Sequence, residues 1–465
     1  MITTRYRGRR VHLMGIGGAG VSALVPLLQR VGAAVDGCDL HESPVLERLR
    51  AGGVSCAIGH HPDHVERADA VVHSAAIDAA HPELEEARRR GLPVLTRGEC
   101  LISLMEGSRT LAVAGSHGKT STTWMAAHLV TACGLDPVVM VGGAVPALDG
   151  SGGRAGASDL FIAEVDESDG SFAGVAPEVA VVTNLDDEHL RHYGGSRAAL
   201  LAAFRRWLER LPAHGAAVLP SEGLPADFAR GLRCRVIRVG LQDGDWQARD
   251  LALAAEHSRL RVWGDGADLG EITVPLPGVH MALNALMACA AVRHLVPGCP
   301  LSALDSCERV RRRFTVHGRP RGVRVVEDYG HHPTEIRATI AAARLAGGRV
   351  HVLFQPHRYT RTVDCFAGFV AAFDQAHAVA VLPVYPAGEA PLPGPAAREL
   401  AEALAERRGG DGSVAFCPDT EAAIAHVLEA AAAGDTVLVL GAGDVGRLAP
   451  RLVARLDPAP PRGAA

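Results

Sequence analysis

The chain has 465 residues, a hydrophobic fraction of 48% and a formal net charge of −5. This length predicts about two to four domains, and the charge excludes the basic surface that nucleic-acid binding requires. No apolar run approaches the ~18 residues of a membrane span, and the first residues do not resemble a signal peptide. The ten cysteines are scattered without a CxxC pair, which favours reduced, buried thiols over a disulfide framework or a zinc ribbon. We therefore expect a cytoplasmic protein that binds neither nucleic acid nor membranes.

Short apolar runs alternate along the chain with longer segments rich in Ala, Leu and Arg. Strands are predicted at residues 11–15, 68–74, 110–115, 159–165, 179–184, 349–355, 377–384 and 435–441. Strands that alternate with helices indicate right-handed βαβ units and doubly wound parallel sheets. We predict three α/β domains, at 1–106, 107–314 and 315–465. Within the central domain, short alternating segments from about 235 to 275 predict a small β insertion.

The first predicted strand leads into a glycine-rich loop, Gly15-x-Gly17-Gly18-x-Gly20. Asp39 closes the next strand, 19 residues after Gly20. This spacing is typical of dinucleotide-binding loops, in which a pyrophosphate lies at a helix N-terminus. The loop alone favours an NAD-dependent oxidoreductase, but a UDP-sugar carries a pyrophosphate too.

A second loop of the same spacing contains Gly441, Gly443 and Gly446. No acidic residue follows it at the expected distance, and no further βαβ unit follows. We interpret it as a packing turn or as a lip of a nucleotide cleft.

Lys119 is the only lysine in a chain with 47 Lys and Arg residues together. It lies in the stretch "LAVAGSHGKTSTTWMAAHLV", between a predicted strand and a predicted helix. Glycines let backbone N–H groups face an anion, and the helix N-terminus adds unpaired donors. A compact ammonium fits between phosphates, where a forked guanidinium does not. The spacing G-x-x-G-K-T is shorter than the usual phosphate-loop motif, but the strand-to-helix context still predicts a loop that binds ATP phosphates.

The loop and six later segments resemble the Mur ligase family, and in particular its alanine-adding branch. These segments are "AEVDESDGSF", "VVTNLDDEH", "RRRFTVHG", "EDYGHHPTEI", "LFQPHRYTRT" and "VYPAGEAPLPG". The resemblance implies a UDP-sugar-binding Rossmann-like domain, a central P-loop ATPase-like domain with a parallel sheet, and a C-terminal Rossmann-like ligase domain. It also implies ATP-dependent joining of L-alanine to the lactyl carboxylate of UDP-N-acetylmuramate through an acyl phosphate, with two Mg²⁺ ions, in peptidoglycan precursor synthesis.

The resemblance assigns roles to individual residues. Those expected to bind ATP are Gly115, Ser116, His117, Gly118, Lys119, Thr120, Ser121, His280, Asn284, Arg313 and Asp328. Those expected to bind the UDP-sugar are Gly15, Gly17, Gly18, Gly20, Asp39, His73, Ser74 and Arg97. Thr120 would hold one Mg²⁺, while Glu164 and His189 would hold a second.

The remaining assignments concern catalysis and the amino acid. Arg358 and Arg361 are expected to hold the alanine carboxylate or the acyl phosphate, because an arginine fork binds a carboxylate with two hydrogen bonds. Lys119, His189, Arg313 and His331 are the expected catalytic residues, with His189 and His331 as alternatives for the base.

Several points stay open at this stage. Met281 stands where the family has Asn, which leaves its contact to the nucleotide undecided. Asp166, Glu167 and Asp169 fit a solvated loop face as well as they fit a metal site. The acceptor is L-alanine, or, in a recycling ligase of the same family, a tripeptide. The expected oligomeric state is a monomer or a homodimer.

Overall fold

A computed structural model describes residues 5–74, 77–168, 170–188, 190–410 and 412–457. The described residues form three β-sheets, which confirms the predicted fold class. The chain divides into two compact units. The first comprises Met1–Leu251, Leu260–Thr273 and Leu283–Val310; the second comprises Ala252–Arg259, Val274–Ala282 and Arg311–Ala465.

The first sheet belongs to the first unit. Its strands are β1 (Arg10–Met14), β2 (Ala34–Asp39), β3 (Ser55–Ile58), β4 (Ala70–His73) and β5 (Val94–Thr96), and its helices are α1 (Ala19–Ser22), α2 (Leu24–Arg30), α3 (Pro44–Ala51), α4 (Pro82–Arg89) and α5 (Arg97–Met105). The strands are parallel and lie in the order β3-β2-β1-β4-β5. The strand order reverses between β1 and β4, which is where a doubly wound sheet opens a crevice at its carboxyl edge.

The second sheet has ten strands. They are β6 (Arg109–Ala114), β7 (Val138–Val145), β8 (Ser151–Arg154), β9 (Leu160–Glu164), β10 (Val179–Val182), β11 (Ala216–Pro220), β12 (Arg235–Gly240), β13 (Trp246–Leu253), β14 (Ser258–Gly264) and β15 (Ala267–Val274), with helices α6 (Lys119–Ala132), α7 (Arg197–Leu208) and α8 (Val279–Leu295). Their order is β15-β14-β13-β12-β11-β10-β6-β9-β7-β8. The predicted β insertion therefore continues the edge of the central sheet. The neighbours β10, β6 and β9 are parallel, so their carboxyl ends lie side by side.

One hydrophobic core joins the first two sheets. It contains Leu24 and Val25 of the first domain together with Met140 and Phe161 of the central domain. The contact is close enough that a Cβ at Gly153 would lie 2.8 Å from the carbonyl carbon of Ala23. Loops at the facing edges of these sheets are therefore held in a fixed relation by packed apolar side chains.

The third sheet belongs to the second unit. Its strands are β16 (Thr315–Gly318), β17 (Arg324–Asp328), β18 (Val350–Phe354), β19 (Ala378–Val381), β20 (Val414–Phe416) and β21 (Thr436–Leu440), and its helices are α9 (Pro333–Arg344), α10 (Tyr359–Asp364), α11 (Phe366–Ala372), α12 (Ala397–Arg407), α13 (Thr420–Ala430) and α14 (Leu448–Leu456). The order is β16-β17-β21-β18-β19-β20, with β16 antiparallel to β17 and the other pairs parallel. Among the described residues, no helix is both long and apolar enough to cross a bilayer.

A disulfide links Cys133, just after α6, to Cys299, just after α8. Their Cα atoms are 5.9 Å apart, and 166 positions separate them in sequence. The expectation of reduced thiols throughout is therefore wrong for this pair. A cross-link over so long a segment stabilises a fold chiefly by restricting the unfolded chain, by ~5 kcal/mol in the chain-entropy estimate.

We expect a reductant to lower the unfolding temperature of the wild-type chain, because opening the bond restores that unfolded-state entropy. Differential scanning calorimetry with and without reductant measures the change. Cys133→Ser should unfold at the lower temperature under both conditions. Equal unfolding temperatures for the oxidised and reduced wild type would contradict a stabilising disulfide.

Candidate functional site

The loop that contains the single lysine connects β6 to α6. Gly115 and Gly118 both adopt positive φ angles, +126° and +82°, which other residues rarely adopt. A Cβ at Gly118 would also lie 2.6 Å from the side-chain oxygen of Asn284 on α8. The predicted strand, glycine loop and helix are thus all present, and α6 begins at Lys119 itself.

Asn184, just after β10, holds this loop in shape. The backbone N–H of His117 donates to Asn184 Oδ1 (2.9 Å), and Asn184 Nδ2 donates to the carbonyl oxygen of His117 (3.0 Å). The N–H of Ser116 donates to the backbone carbonyl of Asn184 (3.0 Å). One side-chain amide therefore fixes both peptide groups of His117 from the neighbouring strand end.

Asp186 supports the same loop from the side. Its backbone N–H donates to Ser116 Oγ (2.9 Å), and its carboxylate lies 2.9 Å from His117 Nε2. Thr120 and Ser121 follow in the first turn of α6, and both are buried. Hydrogen bonds from Asn184 and Asp186 therefore hold the loop in a defined shape, as a preorganised anion site requires.

The ammonium of Lys119 folds back over its own loop. Nζ donates to the carbonyl oxygens of Gly115 (2.5 Å) and Ser116 (3.3 Å) and to Glu167 Oε1 (2.8 Å). Burial opposes its charge, but nearby carboxylates, with Glu167 the strongest, raise the pKa of Lys119 above its ordinary value. Lys119 is therefore a buried cation at neutral pH, and it lies against the backbone of its own loop.

Glu167 is buried and belongs to the site. Only 2% of it is exposed, so the interpretation of this residue as part of a solvated loop is wrong. Burial raises the pKa of Glu167 above the ordinary glutamate value, against the opposing effect of Lys119. Its second oxygen, Oε2, is buried with no hydrogen-bond partner among the described residues. A buried carboxylate oxygen without a donor is suited to a cation or to a water that a cation holds.

Two further carboxylates line a cavity of about 230 Å³ between the first and second sheets. Glu164 ends β9, and its Oε2 accepts the N–H of Gly142 (2.6 Å). Asp166 lies 3.5 Å from the guanidinium of Arg97, at the start of α5. The cavity is lined by Gly20, Arg97, Met140, Val141, Gly142, Glu164 and Asp166. His189, the other expected ligand of this metal site, lies outside the described residues.

The glycine loop after β1 forms the opposite side of this region. The N–H groups of Gly15 and Ile16 donate to the carbonyl oxygen of Cys38, and the N–H of Gly17 donates to Asp39 Oδ2 (2.9 Å). Asp39 thus holds the turn itself. A Cβ at Gly20 would lie 2.9 Å from Cδ of Arg97, so that arginine packs directly on the loop.

His73 and Ser74 stand where β4 ends, beside that loop. His73 pairs in register with Met14, the last residue of β1, and Ser74 N–H donates to the carbonyl oxygen of Met14 (3.2 Å). Gly18 precedes α1 and donates its N–H to the carbonyl oxygen of Gly15 (3.0 Å). The residues expected to bind the UDP-sugar therefore come together at the switch point of the first sheet.

In the second unit, the predicted arginines surround a histidine pair. His331 and His357 have ring centroids 5.9 Å apart, and Arg361 Nη1 lies 3.4 Å from His357 Nδ1. Burial, together with this cationic neighbourhood, lowers the pKa of His357 to about 3, so its ring is neutral. Arg358 has φ +70°, a strained angle for an arginine, and its N–H donates to the carbonyl oxygen of Tyr385.

Asp328 ends β17, and both of its carboxylate oxygens accept hydrogen bonds from residues of its own unit. Its oxygens accept the N–H of Phe314 (2.8 Å), the N–H of Gly330 (2.8 Å) and the hydroxyl of Thr339 (3.3 Å). Burial raises the pKa of Asp328, although Arg313 acts in the other direction. Asp328 therefore shapes the turn that carries His331.

Arg312, rather than its neighbour, ties β17 to the second glycine loop. It donates to Glu327 Oε1 (2.8 Å) and to the carbonyl oxygens of Gly441 (2.7 Å) and Gly443 (2.9 Å). This supports the interpretation of that loop as a packing turn. Arg313 lies over the ring of Tyr329, 5.1 Å from its centroid.

The first turn of α8 carries the predicted adenine-facing residues. Burial lowers the pKa of His280 to about 4, which leaves its ring uncharged at neutral pH. Met281 is buried, while Asn284 lies one turn further, against Gly118. An uncharged ring and an apolar side chain suit a nucleobase better than a phosphate.

Three sequence models of Mur ligase domains match the chain in succession. The Mur ligase family catalytic domain matches residues 10–109, the Mur ligase middle domain matches 113–292, and the Mur ligase glutamate ligase domain matches 312–443. The chain belongs to the Mur ligase family. As a member of that family, it is an ATP-dependent carboxylate–amine ligase.

Alignments with similar proteins cover nearly the whole length of this Mur ligase. UDP-N-acetylmuramate–L-alanine ligases of Solibacter usitatus and Sorangium cellulosum are 42% and 43% identical to it; each alignment covers 97% of this chain, and 96% and 97% of the relative. A crystal structure of UDP-N-acetylmuramate-alanine ligase from Thermotoga maritima has a TM-score of 0.80 at 26% identity, covering 96% of this chain and 99% of that one. A murein peptide ligase from Psychrobacter arcticus shows the same fold, with a TM-score of 0.71 at 22% identity. That alignment covers 97% of this chain and 100% of the other.

Four residues, two in each unit of this Mur ligase, have a structural role that the sequence did not indicate. They are Asn184, Glu167, Arg312 and His357. Each lies inside a segment that resembles the family, so the segments themselves marked the region. The sequence does not show which way a side chain points. An asparagine at the end of a strand, or one arginine in a run of three, gives no sign of the loop that it contacts.

We expect Asn184→Ala to weaken ATP binding about tenfold, because two hydrogen bonds of ~0.5–1.5 kcal/mol each no longer hold the loop. Isothermal titration calorimetry with ATP measures the change. Asp187→Ala is the control, since that carboxylate is 63% exposed and pairs with Arg197. An unchanged dissociation constant in Asn184→Ala would show that the loop keeps its shape without this amide.

Proposed function

We propose that this Mur ligase joins L-alanine to the lactyl carboxylate of UDP-N-acetylmuramate, with ATP converted to ADP and phosphate. The observation that carries the proposal is the cavity that Gly20 and Arg97 share with Glu164 and Asp166. It places the first glycine loop, through Gly20, beside Asp166, and the next residue, Glu167, pairs with Lys119 of the phosphate loop. The names of the relatives support the choice of sugar nucleotide and amino acid.

The proposed domains are 1–106 for the UDP-sugar, 107–314 for ATP and 315–465 for the amino acid. In the first, the pyrophosphate would lie against Gly15–Gly20 with Ser74 and Arg97 beside it. Asp39 and His73 would act from the edge of that pocket, Asp39 through its bond to Gly17. The cytoplasm is the proposed location, because ATP and UDP-sugars are made there, with the enzyme as a monomer or homodimer.

Lys119 is the proposed phosphate-binding cation. The terminal phosphate of ATP would replace the carbonyl oxygens of Gly115 and Ser116 as its partners, while Glu167 keeps the ammonium in position. Arg313 would add a second cation to the phosphates. Charge that develops on the transferring phosphoryl group is then met by a fixed cation in a dry site, where each interaction is stronger than in water.

Two Mg²⁺ ions are the proposed cofactors. Magnesium prefers carboxylate, hydroxyl and phosphate oxygens, and the buried donors here are of that kind. Thr120 would hold one ion, and Glu164 with His189 the other. Oε2 of Glu167, which has no hydrogen-bond partner among the described residues, would add a further oxygen. When bound, Mg²⁺ supplies positive charge to the phosphate oxygens.

The lactyl carboxylate oxygen would attack the γ-phosphorus, and the bond from that phosphorus to ADP would break. The amine of L-alanine would then attack the acyl carbon, and phosphate would leave. Arg358 and Arg361 are the proposed anchors of the alanine carboxylate or the acyl phosphate.

His331 is the better-supported base for the amine proton. Its Nδ1 lies 3.0 Å from the carbonyl oxygen of Tyr329, which fixes the orientation of the ring and places a hydrogen on Nδ1. His280, Met281 and Asn284 are proposed to contact adenosine. Asp328, which the family resemblance also assigns to ATP, holds the turn before His331 through the N–H groups of Phe314 and Gly330.

Release of ADP should require UDP-N-acetylmuramate and L-alanine together. A coupled ADP assay should be run with L-alanine, glycine, L-serine and the peptidoglycan tripeptide, each offered alone. We expect the highest kcat/KM with L-alanine. A clear preference for the tripeptide would replace the proposal with a recycling ligase, and ADP release in the absence of any amine would contradict both.

The ADP assay also distinguishes the effect of the positive charge at position 119 from the effect of the shape of the side chain. Lys119→Arg keeps the charge but brings a planar fork to a position where three acceptors surround one nitrogen. We expect kcat to fall about a hundredfold or more, the typical effect of losing one transition-state donor. Activity near the wild-type level in Lys119→Arg would contradict the argument that this position requires a compact ammonium.

Glu164→Gln should raise the Mg²⁺ concentration for half-maximal activity by about tenfold or more. The amide oxygen can still accept the N–H of Gly142, so the local fold is retained while the negative charge is lost. Titration of ADP release with Mg²⁺ measures the shift. Glu222→Gln, an exposed glutamate of the same domain, is the control. An identical Mg²⁺ dependence in Glu164→Gln would rule out this carboxylate as a ligand.

A further inference from the structure

A second group of side chains of the types that bind metals lies in the first domain, and none of its members is assigned a role in the proposed active site. His12 lies on β1, Cys38 on β2, His60 after β3, His64 in a 3₁₀ turn at Pro62–Val65, and Glu83 on α4. We call these five residues the His–Cys cluster. They come from separate positions in the sequence and meet on one face of the first sheet.

The donor atoms of the cluster are already close together. Glu83 Oε1 lies 3.0 Å from His12 Nε2 and 3.2 Å from His64 Nδ1. Cys38 Sγ lies 3.4 Å from both His12 Nε2 and Glu83 Oε1. One donor atom from each of these four residues lies within 4.8 Å of the other three. A tetrahedral zinc ion with bonds of 2.0–2.3 Å separates its ligand atoms by about 3.3–3.6 Å, so only small movements are needed.

His60 adds a fifth donor at the side of the cluster. Its Nδ1 lies 3.1 Å from Cys38 Sγ and 3.1 Å from Glu83 Oε2. His60 and His64 are four residues apart, on the loop that leads into the 3₁₀ turn and on the turn itself. The exposed fractions of their side chains are 10% and 24%, so this side offers a path from solvent.

The orientation of His12 matches that of a metal ligand. Its Nδ1 lies 2.6 Å from Asp36 Oδ1, and Asp36 in turn accepts from Arg10 Nη1 (3.2 Å). A carboxylate on one ring nitrogen holds the proton there and directs the lone pair of the other nitrogen inward. This carboxylate–histidine arrangement accompanies most histidine ligands of metals.

Burial makes the carboxylate of Glu83 costly without a counter-charge. Cys38 and Glu83 are completely buried, and the core around them includes Met14, Val65 and Leu84. The described partners of the Glu83 carboxylate are imidazoles and a thiol. A divalent cation coordinated by these groups offsets the desolvation of the carboxylate.

We propose that the His–Cys cluster binds one zinc-class transition-metal ion, with His12, Cys38, His64 and Glu83 as ligands and His60 as the adjacent donor. Imidazole and thiolate donors select zinc, cobalt or iron over magnesium and calcium. The ion is structural: it cross-links β1, β2, α4 and the loop after β3. The backbone carbonyl oxygen of Cys38 also accepts the N–H groups of Gly15 and Ile16, so the same residue holds the glycine loop in place.

The test uses full-length, tag-free protein with Co²⁺ as the probe, under anaerobic conditions and with excess Mg²⁺ present. We expect one equivalent of Co²⁺ to give the visible bands of a tetrahedral site and a near-ultraviolet thiolate-to-cobalt band. Zn²⁺ should displace it, and elemental analysis should find about one metal ion per chain.

Two matched variants assign the site. His64→Gln should weaken Co²⁺ binding about tenfold or more, whereas His61→Gln, whose parent side chain is 64% exposed and lies outside the cluster, should not. Cys38→Ser should lose the thiolate band, whereas Cys56→Ser, on the neighbouring strand β3, should keep it.

Several results would overturn the proposal and leave a metal-free hydrogen-bond network in its place. They are an absent thiolate band in the wild type, a band that persists in Cys38→Ser, and equal Co²⁺ affinity for His64→Gln and His61→Gln. Because His64 lies at the rim, that comparison stands even if Cys38→Ser does not fold.

Discussion

The proposed active site depends on one buried ion pair, between Lys119 and Glu167 at 2.8 Å. Taking two charges out of water costs more than a simple contact returns, so such a pair is weak evidence for stability. Here the carbonyl oxygens of Gly115 and Ser116 supply the remaining partners of the ammonium. Those carbonyls are neutral, and a phosphate could take their place, whereas the carboxylate of Glu167 is the strongest of the neighbours that raise the pKa of Lys119. The ammonium of Lys119 is therefore already in position to bind an anionic ligand in the proposed site.

The position of that pair follows from strand order. β6, β9 and β10 are adjacent and parallel, so the phosphate loop, Glu164 and Asn184 all emerge at one edge of one sheet. The shared core then fixes this edge against the first domain, where Arg97 lies 3.5 Å from Asp166. The first glycine loop and the strand end at Glu164 meet at one cavity because apolar packing sets the distance between their sheets.

The sequence predicted the parts that depend on local pattern. Each predicted strand is present, and so is the strand–loop–helix around Lys119, because alternation and glycine placement act over a few residues. Asn184, the link from Arg312 to the second glycine loop, and the Cys133–Cys299 bond depend on positions distant in sequence. The His–Cys cluster is the extreme case: His12 and Glu83 stand 71 positions apart, and no spacing rule joins them. Only the fold reveals such neighbours.

The chain thus contains two groups of candidate metal ligands, which differ in the chemistry of their donor atoms. Around Glu164 and Glu167 the donors are oxygens, which suit a hard ion that keeps water and phosphate as ligands. Around Glu83 the donors are imidazoles and a thiol, which bind zinc far more tightly than magnesium. Placing the soft donors on the other face of the first sheet, inside its core, keeps them away from the phosphates. Under the two proposals, a zinc-class ion would stabilise the fold behind the glycine loop, and magnesium would exchange with each nucleotide.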